Sequence, residues 1–138
     1  MLDIRVAVDT DVPALVALWR MSGLTRPWND PESDIALARR SPGCRLFVGC
    51  ESGRPVASIM CGADGHRGWL YYLAVDAATR GRGHGRAMVR HAEQWLAGQG
   101  MPKVELIVRE ENLAVRDFYE QLGYAVEPRV LMTRWLAP

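Results

Sequence analysis

Between Trp69 and Val108 the periodicity of this sequence changes twice, and those changes restrict the fold more than any other feature of the chain. "WLYYLAV" has the aromatic and branched character of a strand, and Thr79 to Gly85 is glycine-rich and basic. Met88, Ala92, Trp95 and Leu96 then recur at helical spacing, and "KVELIV" returns to a strand. Strand, loop, helix and strand in that order make a crossover, which is right-handed and leaves its two strands parallel. Gly98 and Gly100 supply the helix stop.

The chain before this crossover reads as an antiparallel meander. Ile4, Val6 and Val8 alternate as a first strand, and Asp9 or Thr10 can cap a helix striped by Val12, Leu15, Val16 and Trp19. After Gly23, "RPWNDPESD" is a loop entering a second helix, with Asp30 as N-cap and Pro31 at the first helical position. "RLFVGC" and "PVASIMC" flank the turn "ESGR", and "DGHRG" leads into "WLYYLAV". Beyond the crossover, Asn112 can cap a last helix carrying Val115, Phe118, Tyr119 and Leu122 on one face, stopped by Gly123. "YAVE" and "VLMTRWL" are then expected as closing strands. The expectation is an α/β protein of the α+β mixed kind. It has a mixed, mostly antiparallel central sheet with helices packed on it, in one domain covering residues 1–138.

Lys plus Arg number 17 against 16 Asp plus Glu, so a net charge of +1 gives no general attraction to nucleic acid or anionic membrane, and any anion site must be local. No stretch suits a membrane-spanning helix, and the start "MLDIRVAVDT" lacks the unbroken apolar run of a secretory signal. Cys44, Cys50 and Cys61 are odd in number, without C-x-x-C spacing or paired His, and read as reduced core residues of a cytoplasmic protein without a metal site.

The chemistry therefore concentrates in "TRGRGHGRAMVRHAEQW". A helix whose first turn follows glycine-rich backbone presents unpaired N–H groups and the positive end of its dipole, and Arg80, Arg82, Arg86 and Arg90 add four cations before the first acid, Glu93. A pyrophosphate or phosphate is the natural guest; a solvated basic turn and a nucleic-acid backbone are the other readings. A Walker loop is excluded because no Lys follows these glycines, and a dinucleotide fingerprint fails because Arg86 stands where its third Gly would be.

Arg80-Gly81-Arg82-Gly83-His84-Gly85 resembles the Arg/Gln-x-x-Gly-x-Gly/Ala signature of the GCN5-related N-acetyltransferases, and "NLAVRDFYEQLGY" resembles that family's C-terminal segment, with Asn112, Tyr119, Gly123 and Tyr124 in place. The element order resembles the family's over essentially the whole chain, and "RPWNDP" and "DGHRG" resemble a small bacterial subgroup of YpeA type. The resemblance implies helices on both faces of the sheet and a splayed parallel pair of strands forming a cleft for acetyl-CoA. It implies that Arg80, Gly81, Arg82, Gly83, His84, Gly85 and Arg86 hold the pyrophosphate, and that Leu73, Ala74 and Val75 take the pantetheine arm along their strand edge. An amide near Val75 would polarise the thioester.

By the same resemblance Asn112 contacts the cofactor, although an N-cap explains it equally, and Tyr119 protonates the departing thiolate, although its helical stripe also reads as core. The position of the family's general-base Glu holds Ile107, which leaves the base unassigned. Trp28, Asp30, Asp64 and Tyr72 are candidates for the acceptor side, with Glu32 and Asp34 adding acids at the same mouth. Against each stands a structural role: N-cap for Asp30, turn chemistry for Asp64, loop packing for Trp28. Tyr71 and Tyr72 alternate on their strand, so only one can face the cleft.

The implied activity is transfer of an acetyl group from acetyl-CoA to a primary amine, small-molecule or peptidyl, by direct attack, since no Cys or Ser is paired with a His as a nucleophile. A non-catalytic acyl-CoA-binding module and a nucleic-acid-binding domain are the rival expectations. Monomer and homodimer are both compatible with an apolar final strand.

Overall fold

The computed structural model describes residues 1–137, and Pro138, the last residue of the expected domain, lies outside them. The chain falls into two compact units, the first from Met1 to Leu106 and the second from Ile107 onward.

The first unit is built on a sheet of five strands in sequence order: β1 (Asp3–Val6), β2 (Cys44–Glu51), β3 (Arg54–Ala63), β4 (Gly68–Val75) and β5 (Val104–Glu105). β1 to β4 run antiparallel to their neighbours, and β4 and β5 are parallel. The crossover between them is α3 (His84–Gly98), as the change of period requires. Gly100, at φ +83°, takes the left-handed stop, and the Met101 amide returns to the Leu96 carbonyl at 3.1 Å.

Alternation along β2 sorts the helices onto opposite faces. Leu46, Val48 and Cys50 face α1 (Val12–Met21) and α2 (Pro31–Arg40), where they join Leu15, Val16, Leu18, Trp19, Ile35 and Ala38 in one core. Phe47, from the other face, meets the His91 ring of α3 edge-on, and Arg45 lies over Trp95 at 4.9 Å. α3 can approach the sheet closely because the sheet offers glycine beneath it: a Cβ on Gly49 would lie 2.9 Å from Met88 Sδ, and one on Gly68 2.8 Å from Leu96 Cδ1. Met88, Val89, Ala92 and Leu96 are fully buried there, each large side chain contributing roughly 1.5–3 kcal/mol. Cys50 and Cys61 are buried free thiols, and burial pushes Cys61 up to about 12, so neither is poised as a nucleophile.

Two expectations need correction. "KVELIV" is a strand only at Val104–Glu105, and "YAVE" and "VLMTRWL" are not strands. A strand exists only through its ladder, and among the described residues the segment from Tyr124 to Leu136 pairs with no other strand. Val130, Leu131, Met132, Trp135 and Leu136 are all exposed, so the segment has no buried face. The second unit contains α4 (Leu113–Gln121), closed as expected by Gly123 at φ +97° with the Tyr124 amide on the Tyr119 carbonyl at 3.0 Å. No described helix is long and apolar enough to cross a membrane.

Candidate acyl-donor and acceptor site

The loop from Asp76 to Gly83 joins β4 to α3. Asp76 opens it by accepting the Ala78 amide at 3.0 Å, and the buried Thr79 donates its hydroxyl to the Asp76 carbonyl. Gly81 and Gly83 then adopt φ +82° and +80°, the left-handed region that L side chains rarely enter, and a Cβ on either would meet nothing within 4 Å. These glycines serve the backbone path and leave open space beside it. Gly83 is the N-cap of α3, no side chain caps the helix, and the first helical bond runs from the Ala87 amide to the Gly83 carbonyl at 3.1 Å. The amides of His84, Gly85 and Arg86 therefore precede the ladder and face outward at the positive end of a helix of 15 residues. Arg80, Arg86 and Arg90 are exposed around them. This donor set fits a diphosphate.

Two signature side chains are already engaged. Arg82 donates through Nη1 to both carboxylate oxygens of Glu51, at 2.8 and 3.0 Å, and His84 Nε2 lies 2.6 Å from Glu51 Oε2. These bonds, His84 foremost, hold the Glu51 carboxyl below its ordinary range. An ionised carboxylate only accepts, so His84 carries its proton on Nε2. Nothing in the sequence pointed to Glu51, which stands beside a hairpin turn and reaches residues 31 and 33 positions away.

β4 supplies the second part. β5 pairs with it only at Gly68 and Trp69, so on that side the stretch from Leu70 to Val75 has no ladder partner among the described residues. The Asp76 amide bonds back to Val56 of β3 at 2.7 Å, so by alternation the Val75 amide points to this open edge. The expected cofactor residues Leu73, Ala74 and Val75 thus lie along an edge free to take another extended chain.

Tyr72 sits next to this edge in an unusual state. Opposite a register shift in β3, it has φ +53°, and its ring stacks on Trp19 at 3.8 Å between centroids and 5° between planes. Its hydroxyl donates to Asp34 Oδ2 at 2.6 Å, its carbonyl accepts the Ser58 hydroxyl at 2.8 Å, and Ser58 Oγ accepts the Trp19 indole N–H at 2.9 Å. Three elements fix the strained residue, which is how such a conformation persists. Burial, and then the bond to Asp34, push the phenol well above its ordinary value. Of the two neighbouring tyrosines it is Tyr72 that turns toward α1 and α2.

The other acceptor-side candidates separate. Asp30 stands at the N-cap position of α2 without a side-chain capping bond to a backbone amide, and its carboxylate accepts the Ser33 hydroxyl at 2.6 Å, which holds the carboxyl below the usual range. It shares the first turns of α2 with Asp34, so the structure joins Asp34 and Tyr72 directly and places Asp30 one turn away. Asp64 is occupied within its own turn: Oδ1 accepts the amides of Arg67 and His66 at 2.7 and 2.8 Å, and Oδ2 accepts the Trp69 indole N–H at 3.2 Å. Those backbone bonds lower its carboxyl. Trp28 is exposed in the loop before α2.

Asn112 and Tyr119 belong to the second unit. Asn112 is the N-cap of α4, its side-chain oxygen accepting the Val115 amide at 3.3 Å. Tyr119 is buried, packed edge-on against Phe118 and Tyr124, and burial pushes its phenol up to about 12. Ile107, the position at which the resemblance led to the expectation of a general-base Glu, is exposed. Because the Tyr119 phenol lies above its unfolded value of about 10, its contribution to stability is full below that pH. It is lost as the pH rises toward 12. Ultraviolet titration of tyrosinate checks this, with Tyr119→Phe removing one late phenol; a phenol lost at the ordinary pH contradicts it.

The chain as a whole is similar to several known proteins. A statistical model of the family described as "Acetyltransferase (GNAT) family" matches residues 14–124. A Yersinia enterocolitica protein named as an acetyltransferase is 40% identical over 98% of this chain and 96% of its own length. The ribosomal-protein-S18-alanine N-acetyltransferase of Escherichia coli superposes with a TM-score of 0.76 at 25% identity, covering 89% of this chain and 77% of that one. AAC(6')-Iy, solved with a bisubstrate analog of CoA and acetylneamine, superposes at 0.84 over 99% of both chains with 16% identity, a likeness of fold.

Proposed function

This chain belongs to the GNAT acetyltransferase family and is an acetyltransferase that draws on an acyl-CoA donor, and from that premise we propose that it moves the acetyl group of acetyl-CoA to a primary amine by direct attack in a ternary complex. The observation that carries the reading is the uncapped start of α3, behind two left-handed glycines and on the same loop as the open edge of β4. Because the family match runs across the boundary after Leu106, we take residues 1–138 to act as one catalytic domain.

Acetyl-CoA supplies an activated acyl group and a stable leaving thiolate. The amides of His84, Gly85 and Arg86, with Arg80 and Arg86 as counter-charges, hold the diphosphate. Leu73 to Val75 hold the pantetheine arm as an added strand, and the Val75 amide stabilises charge on the carbonyl oxygen. The amine nitrogen forms a bond to the acyl carbon as the C–S bond breaks; the Tyr119 phenol gives its proton to sulfur, the nitrogen loses one to water, and the phenolate regains its proton from water. Asn112 contributes to the cofactor side while capping α4. No side chain has to be the base, because an amine that enters neutral needs none. Thiol release across an amine library, with titration of CoA, tests the reading: binding without transfer to any amine overturns it, as does binding of nucleic acid in place of CoA.

The preferred acceptor is a small or peptidyl amine that carries positive charge in place of acid, its attacking nitrogen being the neutral form. Asp30, Glu32 and Asp34 lie in the first turns of α2, with Tyr72 bonded to Asp34, Trp28 just upstream, and Asp64 a further acid in its own turn. Acids at one mouth and arginines at the cofactor loop would sort the two substrates electrostatically. Asp64→Asn keeps the oxygen that receives the Arg67 and His66 amides and removes the charge, so the expected result is a folded enzyme with a severalfold higher acceptor KM and an unchanged acetyl-CoA KM. A screen won by acidic acceptors, or a change confined to acetyl-CoA, contradicts this.

A further inference from the structure

The Glu51 carboxylate poses a problem of sign. It lies against the loop read above as an anion site, where a negative charge should repel the ligand. Its two partners show what it does instead. Both carboxylate oxygens take Arg82, and one also takes His84, whose side chain is only 7% exposed against 20% for Glu51 and 55% for Arg82. The bonds bracket Gly83, the left-handed N-cap of α3. A loop with left-handed glycines at 81 and 83 is intrinsically the least ordered kind of backbone, and something must select one conformation before three successive amides can point together at a ligand.

The selecting group stands on a rigid support. Glu51 is the last residue of β2 and pairs with Arg54 across a turn of two residues, Ser52 and Gly53, at φ +49° and +79°. Positive φ at both positions is the tight hairpin turn that fixes strand register. Arg54, across the same turn, reaches Asp76 with Nη1 3.7 Å from Oδ2, and Asp76 opens the loop. One hairpin therefore touches the loop at both ends, through Arg54 at its start and Glu51 at its finish.

We propose that Glu51 is a positioning residue for the acyl donor: carried by the β2–β3 hairpin, it tethers Arg82 and His84 so that the Gly81–Arg86 backbone is set for a diphosphate before the ligand arrives. The proposal rests on the reading of that loop as the CoA diphosphate site. Ordering the loop in advance removes a cost otherwise charged to binding. Arg82 and His84 serve as side chains that shape the loop, and the amides with Arg80 and Arg86 do the holding.

The sign of one substitution separates this from electrostatics. Glu51→Ala removes a negative charge beside an anion site and frees Arg82, so charge alone predicts tighter CoA binding; loss of the tether predicts weaker binding by roughly fivefold. Calorimetric titration with CoA at fixed salt is the measurement, and wild-type binding is established first, since its absence overturns the diphosphate site itself. With wild-type binding in hand, unchanged or tighter binding by Glu51→Ala overturns the tether. Glu51→Gln, which keeps an acceptor oxygen for His84, is expected to fall between the two. Hydrogen exchange in the absence of CoA should speed up across residues 79–88 in Glu51→Ala, leave α1 and β3 unchanged, and return toward wild type when CoA is added. Exchange that rises uniformly along the chain overturns the proposal, because it makes Glu51 a general stability residue.

Discussion

Gly83→Val is expected to weaken binding of CoA by tenfold or more while leaving a folded protein. Nothing lies within 4 Å of a Cβ at this position, so no clash opposes the side chain. The cost is in the backbone: φ is +80°, and an L residue there loses about 1–2 kcal/mol, more when it is β-branched. The loop relieves that strain by leaving the conformation that aims the His84, Gly85 and Arg86 amides outward, and those amides are the proposed anion site. Gly83→Asn separates conformation from space, because Asn tolerates the left-handed region yet still places a Cβ beside the backbone. If Asn binds CoA nearly as well as Gly and Val does not, conformation dominates; if both fail alike, the ligand needs the space. Gly85→Val is expected to weaken binding too, and Arg86→Ala less than either, since the backbone donors survive it. Unchanged affinity in a folded Gly83→Val would remove the cofactor assignment.

The parts of the fold that were legible in the sequence are those where one local rule suffices. The change of period around α3 required a parallel pair within an antiparallel sheet, and Gly100 and Gly123 announced helix ends because each takes the left-handed stop, while Gly98 is the last residue of α3 itself. Asp30 and Asn112 were legible as caps from residue type and position alone, and both stand there. The glycine-rich loop could be proposed as an anion site because the chemistry it would offer lies in the backbone, which spacing reports.

Other parts depended on distant partners. Glu51 serves the loop from across the sheet, and the chain from Trp19 through Ser58 and Tyr72 to Asp34 joins four residues from four elements. No periodicity encodes such pairings. The left-handed Tyr72 was invisible for the same reason, since its strain is carried by tertiary bonds that override what a tyrosine prefers. The closing strands failed in the opposite way: "VLMTRWL" has strand composition, and composition cannot provide the partner that makes a strand.

Tyr119→Phe is expected to lower kcat about tenfold or more with the acetyl-CoA KM nearly unchanged, within the usual range for loss of a general acid. The substitution is conservative in packing, because the ring keeps its edge-on contacts with Phe118 and Tyr124. It is also conservative in bonding, since the Tyr119 hydroxyl makes no hydrogen bond among the described residues, and Tm should move little. What disappears is one proton. A phenol held near 12 is protonated throughout the neutral range, so the donor is present whenever the amine is reactive, and it titrates too late to shape the ordinary pH profile. The wild-type and Phe profiles should therefore run parallel below roughly pH 10, offset by the loss in rate. A donor this weak gives up its proton only as the C–S bond breaks and charge builds on sulfur, which ties the loss to the chemical step. Single-turnover measurements must carry the same deficit as steady-state kcat. If single-turnover rates are equal in the two proteins, Tyr119 is a packing residue of α4 and the thiolate takes its proton from elsewhere.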